Sequence, residues 1–464
     1  MTANNNKCFA VLENELEGRI DPHFYSPIFN YYTNKLKRVN YKNLGDIIDF
    51  SNEIWNQKDY FDKEFPYIEI SKIDINTGEI KDIIYYDKEK APSRAKMIVR
   101  DKDIIVSTTR PSRGAIAFIN KSKDGFIAST GFAILRDLKN KAINKDYLFY
   151  FLRTKFSLNQ MEQRSSGGNY PAITTEELKK IIIPIPPLKI QNQIVEIMQK
   201  AYKDKEAKEK QADELFNSID DYVLGELGIK MPELEDKKCF SVDSEDIKNQ
   251  RIAPDYYQPR FTKTEKAIKN AKYKIAKLKD VLEYVKKGIE VGSKAYTDEG
   301  IPFVRVADID DLKIDIQNTD KKIAFDLYQE LKNAYKPKTG ELLYSKDGSI
   351  GFCAIVEEND DFITSGGILR LKINDKFNSY YIKTLLSSKL FKIIAGQKSI
   401  GAIIKHLLPE EILNFQIPLP PFAIQNKIAS EVKKRIEKSE KLKLEGQKLV
   451  EEAKSEVEKI ILGK

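Results

Sequence analysis

Two polar stretches hold the side chains best suited to grip a nucleic acid. Ser107-Thr108-Thr109-Arg110-Pro111-Ser112-Arg113-Gly114 combines hydroxyls, guanidinium groups and a glycine. Arg164-Ser165-Ser166-Gly167-Gly168-Asn169-Tyr170 repeats that mixture with an added amide. A guanidinium can give guanine two parallel hydrogen bonds, while hydroxyls and backbone amides beside a glycine can hold phosphate. Arg110 and Arg113 are therefore the first choices for base reading, flanked by Thr108, Thr109 and Ser112. Arg164, Ser165, Ser166 and Asn169 are candidates for further contacts, and Arg94, Lys96 and Arg100 for general phosphate attraction. Later in the chain, Ser345-Lys346-Asp347-Gly348-Ser349-Ile350-Gly351 and Gln397-Lys398-Ser399-Ile400-Gly401-Ala402 fill the same slots with different residues. They offer Lys346, Ser349, Lys398 and Ser399, with Lys336 and Lys338 as added positive charge. The competing reading is structural, with a tight surface turn carrying solvated arginines and a plain helix-to-strand connection.

Catalytic patterns are missing. There is no Gly-rich loop ending in Gly-Lys-Ser/Thr and no Gly-x-Gly-x-x-Gly after a strand. An amino-methyltransferase tetrad needs a polar acceptor before Pro-Pro-Tyr/Phe, and Leu419-Pro420-Pro421-Phe422 has leucine there. Asp311-Leu312-Lys313 and similar triplets arise by chance in a chain this rich in lysine and acids. The two histidines, His23 and His406, sit at unrelated places and supply little acid/base or metal chemistry. Cys8, Cys239 and Cys353 lack metal-ligand spacing, and the matched Lys7-Cys8-Phe9 and Lys238-Cys239-Phe240 suggest reduced, packed side chains.

The elements that position these loops come in duplicate. Ile183-Pro184-Ile185-Pro186-Pro187-Leu188 returns as Ile417-Pro418-Leu419-Pro420-Pro421-Phe422, and Leu419 lies 234 residues after Ile185. That offset also places Gln191-Asn192 on Gln425-Asn426. Arg19-Ile20-Asp21-Pro22-His23-Phe24-Tyr25-Ser26-Pro27 is answered by Arg251 to Pro259, an aromatic strap in which Tyr25 and Tyr257 serve packing. In each half the chain then reads as a short helix (27–39, 259–271), alternating strands, a helix (146–163, 379–396), a glycine loop and the proline run. Strands are expected at 66–70, 103–107 and 126–129, and at 302–306, 341–345 and 362–365.

Prolines fit the first turn of a helix, so Pro187 and Pro421 mark two helix starts. Beyond them Ile190, Ile194, Ile197, Ala201 and Leu215, and Ile428, Val432, Leu442, Leu449 and Ala453, recur at the spacing of a helical seam. These ten are the expected subunit-interface residues. Both seams fade in a polar middle, 203–211 and 437–445, as expected of helices packed side by side. The reading is α+β: a globular domain 1–182, a central helical spacer 183–228, a second globular domain 229–416 and a C-terminal helical spacer 417–464.

A chain of 464 residues can build two cores, and 41% hydrophobic with 32% charged residues describes a globular protein with a charged surface. No apolar run reaches membrane-spanning length and the N-terminal residues lack a signal-peptide core, so no membrane association and a cytoplasmic location are expected. The net charge of +8 suits an anionic partner.

Two variable halves, each closed by a Pro-x-Pro-Pro run and a long helix with a glutamine near its start, resemble the DNA-specificity subunit of type I restriction-modification systems. The motifs that carry the likeness are 183–188 with Gln191 to Ile194, 417–422 with Gln425 to Ile428, and the Ser-Ser-Gly-Gly loop leading to Ile173 and Thr174. The second loop, Lys-Ser-Ile-Gly-Ala, departs from it by lacking paired glycines. The resemblance implies target recognition domains that each read part of a split, asymmetric double-stranded DNA sequence. It also implies an antiparallel coiled coil spacing the two parts about one duplex turn, roughly 34 Å, apart. It implies partners as well: two methyltransferase subunits and two restriction subunits. The expected chain is then no enzyme and holds no cofactor or metal, with S-adenosylmethionine, ATP and magnesium on the partners. A fused methyltransferase or nuclease with a diverged site, and a protein-binding scaffold, are the alternatives.

Overall fold

A computed structural model of the chain describes residues 9–12, 16–57, 60–243, 247, 253–401 and 405–463. Cys8, Arg251, Ile252 and Ala402 lie outside the described residues. The chain forms two compact units, Met1–Glu209 with Lys443–Lys464, and Lys210–Leu442.

In the first unit, Ile104–Ser107 is an inner strand of an antiparallel sheet ordered 48–51, 132–138, 104–107, 116–118. Because successive side chains point to opposite faces, Ile104 and Val106 enter one apolar core while Ile105 enters another. A strand buried on both faces has no polar alternation to show. The second sheet, 84–87, 64–68, 127–129, 95–98, contains the parallel pair Tyr67 and Ile127. The second unit repeats the plan. Leu342 and Tyr344 face one core and Leu343 another, and Phe303 pairs in parallel with Ile363.

Sequence periodicity predicts one helix over 146–163, but the chain makes two, Lys145–Leu152 and Lys155–Gln163. Thr154 Oγ1 donates to the Phe151 carbonyl at 2.7 Å, satisfying a group that helix continuation would otherwise use, and its extended backbone starts the next helix. Ser388 does the same to the Leu385 carbonyl, splitting the expected 379–396 helix into Ser379–Ser387 and Lys389–Lys398.

The proline runs open helices of 39 residues, Leu188–Glu226, and 40 residues, Phe422–Ile461. Each is locked to its globular partner by the conserved spacing of the repeat's own glutamine and asparagine. Gln191, fully buried, accepts from Asn144 N at 2.8 Å and donates to the Ala142 and Pro186 carbonyls. Asn192 accepts from Asn144 Nδ2 at 2.9 Å, while Asn144 Oδ1 caps the 145–152 helix. Gln425, Asn426 and Asn378 repeat these contacts except the bond to the Ala142 carbonyl, and Tyr147 and Tyr381 each donate to a proline carbonyl, Pro184 and Pro418.

Within each unit the long helices pair antiparallel. In the first, Lys208 meets Glu445 at 2.6 Å, and a side chain at Gly446 would press on Lys205. In the second, Ser439 donates to the Ala212 carbonyl at 2.9 Å and Lys427 pairs with Glu226. Where the apolar seam fades, small residues and side-chain-to-backbone bonds keep the helices close.

Two expectations are corrected. Ile194, Ala201, Ile428, Val432 and Ala453 are buried against their own unit, so they form an internal seam and are not available to a partner subunit. Ile190, Ile197, Leu215, Leu442 and Leu449 are half-buried. Cys239 is exposed rather than packed, whereas Cys353 is buried.

Gln191→Leu leaves a buried amide and two carbonyls unpaired, at a cost of about 2–4 kcal/mol in urea unfolding of the full chain. The exposed neighbour change Gln193→Leu should stay within about 0.5 kcal/mol. A second expectation concerns the buried pair Glu341 and Arg370, 2.8 Å apart and 0% and 1% exposed. Burial pushes the Glu341 carboxyl up, but the hydrogen bonds of Arg370 and Tyr284 outweigh it and hold the group below its ordinary 4.5. Its stabilisation is thus full above pH 4.5 and is lost as pH falls through the lowered value. Urea midpoints of Glu341→Gln should be lower at pH 7 and should fall less steeply below pH 4.5 than those of the unaltered chain.

Candidate nucleic-acid interface

The two candidate stretches of the first unit are zipped together. Arg110 N donates to the Pro171 carbonyl at 2.7 Å, Ile173 N to the Thr108 carbonyl at 2.9 Å, and Thr109 bridges Ala172. Ser166 and Ala172 exchange backbone hydrogen bonds of 2.9 and 2.8 Å, closing a small loop that turns at Gly167 with φ 103°. Arg110 itself is left-handed, φ 47° and ψ 52°, and is followed by a single 3-10 turn, Pro111–Arg113. A side chain there costs about 1 kcal/mol of backbone strain. The zipped loop sustains that strain and throws Arg110 outward.

Its guanidinium lies 4.1 Å over the exposed Tyr170 ring, with Nε and Nη2 donating to the Asn169 carbonyl. The stack fixes the plane of the fork and, among the described residues, leaves Nη1 uncommitted. Arg113, Ser166 and Asn169 are exposed around it, and Ser112 is half-buried. Arg94 and Lys96 are exposed on a strand edge, where the Arg94 carbonyl accepts from Thr130 N beside Gly131, the residue that Thr108 binds.

Other candidates have internal partners instead, which corrects the expectation that their side chains face phosphate. Arg164 pairs with Glu177 at 3.0 Å and Glu17 at 3.1 Å and lies over Phe24, so it ties the aromatic strap to the helix end. Ser165 is buried and donates to the Met161 carbonyl, and Arg100 is paired with Glu53. In the second unit Lys398 binds Tyr256 and Glu265, Ser399 is buried on the Gly396 carbonyl, and Lys336 pairs with Asp361. Polar residues at helix ends are used for capping and strap contacts before any ligand is considered.

The second unit keeps the zip and changes its chemistry. Gly348, φ 67°, stands where Arg110 does and donates to the Lys405 carbonyl at 2.9 Å. Ile400 and His406 exchange backbone bonds of 2.8 and 2.7 Å around Gly401, φ 105°. His406 thereby occupies the place of Ala172, its side chain 51% exposed and its Nδ1 2.9 Å from Asp347. Lys346 is buried against the other Asp347 oxygen at 2.6 Å. Burial pushes the Asp347 carboxyl up, and Lys346 and His406 together bring it below the usual range. Ser349 is exposed, and its carbonyl accepts from Ser345 Oγ. Sequence reasoning missed Tyr170, Asp347 and His406. The 234-residue offset would have placed His406 on Ala172 and so inside the zipped loop.

Comparison with known proteins agrees with this duplicated plan. The family model for the type I restriction modification DNA specificity domain matches residues 26–215 and again 270–449. The Methanocaldococcus jannaschii type I restriction enzyme MjaIX specificity subunit is 25% identical over 417 residues, covering 86% of each chain. A protein of the same organism assigned to the MjaX specificity subunit is 34% identical over 189 residues, 38% of this chain and 42% of its own. A solved chain from work on assembly and conformational transition of a type I R-M system is 20% identical and shares the fold. Its TM-score is 0.52, covering 91% of this chain and 97% of that one.

Urea unfolding separates presenting residues from buttressing ones. Arg110→Gly relieves the left-handed strain as it removes the stack, so the midpoint should move by less than about 1 kcal/mol. Arg164→Ala removes the tie between Glu17, Glu177 and Phe24, although Lys180 still pairs with Glu177, and should cost about 1–2 kcal/mol.

Proposed function

The chain belongs to the type I restriction modification DNA specificity family, and we propose that each unit reads one part of a split, asymmetric target in double-stranded DNA. The observation that carries this is one zipped loop frame presenting unlike groups, Arg110 stacked on Tyr170 in one unit and His406 on Asp347 in the other. The stacked fork of Arg110 suits guanine O6 and N7, with Arg113, Arg94 and Lys96 drawing in phosphate. In the second unit, the imidazole edge of His406 and the exposed backbone at Gly348 and Ser349 offer short-range hydrogen bonds with less positive charge. Two readers of different chemistry select two different half-sites, and the paired helices set the spacer between them.

The remaining work falls to partners in this reading. The chain is not an enzyme. Two methyltransferase subunits dock on exposed faces of the long helices and supply S-adenosylmethionine chemistry, and two restriction subunits bring ATP, magnesium and cleavage. Among the described residues no helix is long and apolar enough to cross a membrane, and a cytoplasmic complex on DNA fits the assignment.

Mapping methylated adenines in DNA exposed to the reconstituted complex should reveal two unlike half-sites at a fixed separation. A single continuous palindrome overturns the reading. Arg110→Ala should relax base preference in one half-site only, weakening binding about 5- to 150-fold as expected for a lost bidentate contact of about 1–3 kcal/mol.

A further inference from the structure

The repeat exposes a cavity that exists in the second unit because residues filling the equivalent space in the first are replaced by other side chains. In the first unit, Arg153 sits at the break between the paired helices, donating to the Ile116 carbonyl at 2.9 Å and to the Asn76 carbonyl at 2.7 Å. Its guanidinium lies over Phe149, and Tyr150 stacks on Tyr202 with ring centroids 6.0 Å apart. These four large side chains fill the space between the helix pair and the central helix. At the 234-residue offset the second unit has Lys383 for Phe149, Thr384 for Tyr150, Ser387 for Arg153 and Ile436 for Tyr202. Ser387 Oγ reaches the equivalent carbonyl, Cys353 O, at 3.2 Å, so the bond is kept and the volume is given up. What remains is a cavity of about 310 Å³.

Its lining is that of a binding site rather than a packing defect. Phe216, Ile219, Val432 and Ile436 make apolar walls, and Lys383, Thr384, Asp220 and Asp311 are among the polar residues that line it. Lys383 is 4% exposed and, among the described residues, makes no hydrogen bond or ion pair; its ammonium lies only 5.4 Å from the Tyr380 ring. Burial lowers its pKa accordingly. Thr384 is 5% exposed and its hydroxyl has no partner. The nearby acids are otherwise engaged. Asp311 is paired with Lys392, and Asp220 accepts from the Lys389 amide at the start of the 389–398 helix while burial raises its pKa. The neighbouring Cys353 thiol is pushed up to about 12 and carries no charge. A buried hydroxyl such as that of Thr384 is costly to leave unmet, and a mostly buried lysine with no ion pair favours an incoming anion. Small apolar pockets with a few convergent polar groups are the usual form of ligand sites, and this one is at the small end of their size range.

We propose that this cavity binds a small monocarboxylic acid with an apolar body, its carboxylate held by the Lys383 ammonium and the Thr384 hydroxyl. The first unit lacks the site because Arg153 and its aromatic neighbours occupy it.

Calorimetric titration of the full chain with hexanoate and, separately, hexylamine tests charge and shape together. Hexanoate should bind at least tenfold more tightly than hexylamine. Ser387→Arg, which installs the first unit's residue, and Lys383→Met should each weaken hexanoate at least tenfold. Thr384→Tyr replaces Ser387→Arg if that variant does not fold, folding being judged by an unchanged urea midpoint. Equal affinity for the two probes, no hexanoate binding, or hexanoate binding that survives both the filling variant and Lys383→Met overturns the proposal.

Discussion

The architecture depends on one buried amide at the start of each long helix. Gln191 and Gln425 are 0% and 2% exposed, and each spends both ends of its side chain on backbone groups. An amide can accept at one end and donate at the other, so it can join a helix N-cap to a proline carbonyl in a single step. Leucine would fill the volume but leave those groups unpaired. Asn144 and Asn378 complete the lock by bonding the adjacent asparagine while capping their own helices. The angle at which a strut leaves its domain is therefore set by directional bonds, not by the apolar seam alone.

This lock was legible in the sequence because it is a repeated, short-range pattern. Pro-x-Pro-Pro followed by Gln-Asn at one offset fixed both helix starts, which fall at Leu188 and Phe422. The seam was only partly legible. Val195, Met198, Ala212 and Val223 are buried too, because each helix packs against a globular core as well as its partner helix, and the buried face is wider than a heptad stripe. The helix breaks at Thr154 and Ser388 were hidden, since a hydroxyl that satisfies its own turn leaves the apolar periodicity intact. Of the proposed contacts, the arginine in the left-handed position could be picked by residue type. Its stacking partner could not, because Tyr170 reaches Arg110 only through the tertiary zip.

Duplication with divergence explains which parts changed. Residues that must satisfy buried backbone, such as Gln191, Asn144 and Tyr147, return as Gln425, Asn378 and Tyr381, which keep the bonds to the helix-capping asparagine, the adjacent asparagine and the proline carbonyls. Asp103 with Arg136 likewise returns as Glu341 with Arg370, a longer acid taking the same role beneath the same strand. The left-handed position is filled by Arg110 in one unit and Gly348 in the other, so the backbone path is held constant while the group it presents is free to vary. A frame held mainly by backbone bonds can exchange the side chain it presents at little cost to folding.

The electrostatics of the two units differ for the same reason. Arg164, Arg100 and Lys398 are cations by sequence but serve as internal ties, so they add little to the field felt by a distant phosphate. In the first unit Arg94, Lys96 and Arg113 remain exposed beside the loop frame, whereas in the second Lys346 is neutralised by Asp347 and half of that carboxylate is shared with His406. Each phosphate neutralised by a free cation contributes to the salt dependence of binding, while hydrogen bonds from an uncharged group such as a backbone amide do not. A net charge of +8 is therefore not spread as a uniform attraction over the loops. In the proposed complex the first unit supplies more of the long-range, salt-sensitive attraction, and the second supplies contacts that act only once the duplex is already seated.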